Sequence, residues 1–143
     1  MTEIKDTVSK LIESCKDGQE GYRQAAEKAQ KPEYKSFFEQ QSNERGRFAT
    51  ELQPFLGDKE KDSGSVSGAL HRTWIDLKGK LGAGDAAILS SVEQGEDSAK
   101  QTYEDALKAS PPAELVAIIR RQYGSVKNAH DRVKSWRDSE KAA

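Results

Sequence analysis

Apolar side chains return at every third or fourth position through four long stretches of this chain, a spacing that leaves little but amphipathic helices to build with. In the first stretch Ile4, Val8, Leu11, Cys15, Gly18, Tyr22, Ala25 and Ala29 share one helix face. The second carries Tyr34, Phe37, Phe38, Gln41, Glu44, Phe48, Leu52 and Phe55. The third carries Ile88, Leu89, Val92, Glu96, Ala99, Tyr103, Ala106 and Leu107, and the fourth Leu115, Ile118, Ile119, Gln122, Val126, Ala129, Val133 and Trp136. Pro32 divides the first pair of stretches, and Ser110-Pro111-Pro112 divides the second pair. Nothing alternates with the two-residue period of a strand.

Between the pairs, GDKEKDSGSVSG has no apolar period and reads as a loop. A shorter amphipathic run with Leu70, Trp74, Leu77 and Leu81 follows it. The expectation is one all-α domain over residues 1–143, with helices at about 2–30, 33–56, 85–109 and 111–138. A crossover over 57–84 holds a short helix at about 69–81, Asp85 caps the third helix, and the tail after Arg137 frays. Short links make each pair an antiparallel hairpin. One long crossover between two hairpins is the ferritin-like form of the four-helix bundle.

Hydrophobic content of 34% against charged content of 33% suits slender helices with solvated outer faces. The formal net charge is −1 and the charges are interspersed, so no basic stripe offers itself to nucleic acid. No run approaches the roughly 18 apolar residues of a membrane span. The opening MTEIKDTVSKLIESC lacks a signal-peptide layout, and Cys15 is the single cysteine. A soluble, reduced, cytoplasmic protein is expected.

The strings CKDGQEGY, GSVSGALHRTW, QGEDSAKQTYEDAL and RQYGSVKNAHDRV resemble a bacterial family of ferritin-like four-helix-bundle proteins of unknown function. The likeness runs from Leu11 to Asp138 and implies the fold, not an activity.

Each long stretch carries glycine near its middle: Gly18 and Gly21, Gly46, Gly95 and Gly124. A glycine inside a helix costs about 1 kcal/mol relative to alanine, so four helices bearing one at the same level point to close packing or a site. Hairpin pairing sets residue 18 or 19 opposite Glu44, and Glu96 opposite Gly124. Ferritin-like di-metal centres draw a Glu from each of two helices and Glu-x-x-His from the other two. The matching positions here are Glu20, Glu44, Glu96 and Gln122, which lack both histidines. Iron, manganese or zinc would be the ions for such a carboxylate set. The bland reading of Glu44 and Glu96 is a polar layer satisfied by Arg45, Arg47, Arg121, Gln41, Gln122 or the Tyr22 hydroxyl.

Glu93 and His130 should lie together on the second hairpin, and zinc becomes conceivable if His71 joins them. Cys15 reads as a small buried hydrophobe. The residues favour a non-catalytic helical bundle acting through protein contacts, as a homodimer or with another protein, in a stress-linked setting. Trp74, Trp136 and Tyr34 are the candidates for an exposed apolar patch. The alternatives are a carboxylate-rich metal or redox protein centred on Glu44 and Glu96, and a small-ligand binder using space beside the glycines.

Overall fold

The computed structural model describes residues 2–56 and 84–142. Its described residues form four α-helices: α1 Thr2–Lys28, α2 Pro32–Leu52, α3 Asp85–Lys108 and α4 Ala113–Ala142. A single 3₁₀ turn, Gln53–Phe55, ends α2 earlier than the periodicity predicts. Pro54 is the reason: it has no N–H to give to the preceding turn. The expected crossover helix at 69–81, with His71 and Trp74, lies outside the described residues. Among the described residues no helix is long and apolar enough to cross a membrane.

Contacts fix the direction of every helix. Ser42 on α2 donates to the carbonyl of Gln19 on α1, while Lys35 reaches back to that of Ala26, so α1 and α2 are antiparallel. Tyr123 meets Glu104 and Arg137 meets Glu93, so α3 and α4 are antiparallel too. Cys15 touches Tyr103 while Tyr22 touches Glu96, which makes α1 antiparallel to α3. The two middle helices α2 and α3 therefore run parallel, and α2 ends at the opposite end of the bundle from where α3 begins.

Asp85 differs from its expected role. Gly84, at φ +99°, occupies the cap position of α3, a backbone state that favours glycine. The Asp85 carboxylate instead crosses to the α1–α2 turn, accepting from the backbone N–H of Gln30 at 2.8 Å and of Lys31 at 3.1 Å. The C-terminal tail also departs from expectation. It stays helical to Ala142 because Glu140 accepts from Lys31 Nζ at 2.5 Å and from the Tyr34 hydroxyl at 2.7 Å.

Burial splits the interior in two. Val8, Leu11, Ile12, Phe48, Leu52, Leu115 and Ile119 belong to one apolar cluster. Tyr22, Phe38, Ile88, Leu89, Val92 and Val133 belong to the other. Each large aliphatic side chain withdrawn from water contributes about 1.5–3 kcal/mol. Between the clusters lies a polar layer built around Arg45 and Glu96.

The helix glycines divide by what surrounds them. A Cβ on Gly18 would stand 3.0 Å from Arg45 Nη1 and 3.5 Å from Arg45 Cγ, so this glycine makes room for the guanidinium. A Cβ on Gly46 would stand 2.6 Å from Gln19 Nε2, the free-swinging tip of an exposed side chain. Nothing lies within 4 Å of one on Gly124. Gly124→Ala is therefore expected to raise stability by about 1 kcal/mol, with Gly46→Ala close behind once Gln19 moves aside. Gly18→Ala should lower it by a similar amount, because a pinned arginine cannot yield as Gln19 can. Thermal melts followed by circular dichroism check all three.

Candidate functional site

The centre of the polar layer takes one side chain from each of α1, α2 and α3. Arg45 on α2 donates through Nη2 to Glu96 Oε2 on α3, and the Tyr22 hydroxyl on α1 donates to the same oxygen at 2.6 Å. Arg45 is 1% exposed and Glu96 is not exposed at all. The guanidinium also stands over the Tyr22 ring, 5.4 Å from its centroid. Burial, and then the neighbouring Glu96 charge, push the Tyr22 hydroxyl well above its ordinary pKa, so it stays a donor.

A second run of hydrogen bonds continues across the bundle. Tyr103 donates to Gln122 Oε1 at 2.6 Å, and Gln122 Nε2 donates to the Phe48 carbonyl at 3.3 Å and to Glu51 Oε1 at 2.8 Å. The Tyr103 proton is thus committed to Gln122, and the Cys15 thiol, 3.2 Å from the phenol oxygen, is the donor there. Burial pushes that thiol up to about 11, against smaller pulls from Tyr103 and Arg45. It is buried and protonated, a packing group and not a nucleophile.

The residues weighed for a central metal separate in the structure. Glu20 is exposed and binds Arg23 at 2.5 Å and Gln24 at 2.8 Å along its own helix. Glu44 is half-buried and accepts from the Ser125 hydroxyl of α4. Glu96 faces Arg45, and Gln122 serves as a link between Tyr103 and Glu51. An ion at this level would meet one carboxylate already held by an internal cation. Arg45 also fills the space that Gly18 leaves, so the glycine layer serves a side chain there. Over Gly46 a shallow groove lined by Lys16, Gln19, Asn43, Arg47, Ala49 and Thr50 opens broadly to solvent.

The aromatic candidates for a contact patch are partly covered. Tyr34 is buried, and Trp136 packs on it with centroids 4.8 Å apart and edge-on against Phe37 at 5.1 Å.

Away from the centre, Glu93 and His130 do meet, with His130 Nε2 3.7 Å from Glu93 Oε2. The structure adds a neighbour absent from the sequence reading: Asp97, whose Oδ1 lies 2.7 Å from the same nitrogen. Its signal was available, because Glu93 and Asp97 sit four residues apart and so share a helix face. Among the described residues Glu93, Asp97 and His130 are the one group of three His, Cys, Asp or Glu side chains whose ligand atoms all lie within 4.8 Å of one another.

One more acidic group stands out. Asp17 on α1 is 7% exposed, and its Oδ2 has no hydrogen-bond partner. Burial first, and the Glu13 charge second, push its carboxyl from 3.8 up to about 7.

Helix directions and centre together define a four-helix bundle closed on its own internal ion pair. Residues 3–109, spanning α1 to α3, match the family described as "Domain of unknown function (DUF2383)", and the chain belongs to that family. No curated protein matches the chain.

Proposed function

We propose that this chain is a non-catalytic bundle of ferritin-like topology that has exchanged a central metal for a protein cation and works through contacts of its outer faces. The topology reading is supported by the parallel α2 and α3, which need a long connection from one end of the bundle to the other. The observation that carries the functional reading is the Arg45–Glu96 pair. A ferritin-like centre binds ions by gathering several inward carboxylates, whose mutual repulsion the metal relieves. In this chain the inward carboxylate is already neutralised by a buried guanidinium, which has no redox chemistry and no open coordination position. What remains for the chain to do lies on its solvated faces, with copies of itself or another protein as the partner.

Elemental analysis of untagged protein from medium supplemented with iron and manganese tests this. The expected result is no equivalent of iron or manganese whose retention depends on Glu96. An equivalent of iron or manganese that disappears in Glu96→Gln would overturn the proposal and restore the redox alternative.

A further inference from the structure

We propose that Glu93, Asp97 and His130 form a zinc-class divalent metal site on the edge of the α3–α4 hairpin. The inference is independent of the reading of the bundle centre.

The donor set is the first argument. One imidazole nitrogen and two carboxylates are ligands that zinc and similar borderline ions accept, three from the protein with a fourth position left open. Geometry is the second. Two ligands held 2.0–2.1 Å from a tetrahedral ion stand about 3.3 Å apart. His130 Nε2 lies 2.7 Å from Asp97 Oδ1 and 3.7 Å from Glu93 Oε2, which bracket that spacing. The third pair, Glu93 to Asp97, lies within 4.8 Å, so side-chain rotations would gather all three ligands around one ion.

The third argument is the surroundings of the ring. His130 Nδ1 stands 3.1 Å from Asp131 Oδ1, so its proton has an acceptor and Nε2 is turned toward Asp97 and Glu93. A carboxylate behind a ligating histidine fixes its tautomer and raises its basicity. Both nitrogens therefore face carboxylate oxygens, and the two on the Nε2 side converge on one point. On the other flank Arg137 Nη1 holds Glu93 Oε1, leaving Oε2 directed at the histidine. Arg137 divides between Glu93 and Asp138, so the carboxylates around the ring outnumber the cation that touches them, and a divalent ion relieves that excess.

Access and anchoring complete the case. Glu93 and His130 are buried at 8% exposure each, and so are held in place. The Asp97 side chain is 60% exposed and gives an ion a way in. Ligands from both helices would make the metal a clip across the hairpin.

The test is titration of the full untagged chain, stripped with a chelator, against zinc chloride, read by isothermal calorimetry. A parallel titration with cobalt(II), followed by visible absorption, reports coordination directly. One saturating equivalent is expected. His130→Ala should weaken binding at least about 100-fold, and Asp131→Asn about 10- to 100-fold through the tautomer. Asp97→Asn should weaken it by more than about 10-fold, and its exposed position protects the fold, which circular dichroism checks. Glu44→Gln should bind as the parent does. No saturable binding at millimolar zinc, or binding that Asp97→Asn and His130→Ala leave unchanged, would overturn the site.

Discussion

Arg45→Met is expected to cost about 3–5 kcal/mol, the largest single effect in this protein, because it strands the Glu96 carboxylate in the interior. The side chains are 1% and 0% exposed, so neither has water to fall back on. Glu96→Leu should cost a comparable amount by orphaning the guanidinium. The double variant Arg45→Met/Glu96→Leu should recover most or all of the loss. Taking two charges out of water consumes most of what their attraction returns, and apolar replacements of similar volume are often neutral or better. Glu96 Oε1 and Arg45 Nε also lack hydrogen-bond partners, which lowers the worth of the native pair further. Urea unfolding of the four proteins measures the cycle. A single variant as stable as the parent would mean that the two charges do not meet inside the bundle.

Asp17 is expected to make the protein less stable as pH rises. Its folded-state pKa of about 7 lies above the ordinary 3.8, so between those values the folded chain holds a proton that the unfolded chain has lost. Stability then falls across that window and levels off above it. The full interval would correspond to about 4 kcal/mol, but solvent near the carboxyl screens part of this, and about 2 kcal/mol is the expected size. Asp17→Asn should accordingly stabilise by about 2 kcal/mol at pH 8 and by little at pH 4. Equal effects at both pH values would show that the carboxyl titrates normally.

Hydropathy makes the four helices legible, because the apolar rows through Leu11, Phe38, Leu89 and Ile119 each recur at helical spacing with little to interrupt them. It also sets the level of the central layer, since counting along the hairpins puts Gly18 and Glu96 there, where both meet Arg45. Counting failed where chemistry ran against the stripe. The partners of Glu96, Arg45 and the Tyr22 hydroxyl, are among those that the sequence offers; only the face of Arg45 is hidden, because tracing a core by apolarity skips a charged residue in the buried row of Tyr34, Phe38, Ser42, Ala49 and Leu52. Glu44, which the apolar spacing sets on the seam, is half-buried. Asp97 is hidden for the opposite reason: an exposed acid on a charged helix looks like solvated surface until its neighbour across the hairpin is known. Asp85 shows the same limit, since its acceptors' partners lie more than fifty residues away.

The division of the central pair between hairpins has a consequence for assembly. Arg45 travels with the first hairpin and Glu96 with the second. Docking them one helical turn out of step moves the charges about 5.4 Å apart along the axis and buries both alone. Apolar side chains above and below tolerate such a slip far better, since one aliphatic surface substitutes for another. The pair thus acts as a lock that accepts a single alignment. It is indifferent to which molecule carries the key: the second hairpin of another copy presents the same glutamate. The lock proofreads how two hairpins meet while leaving open an exchange of hairpins between chains.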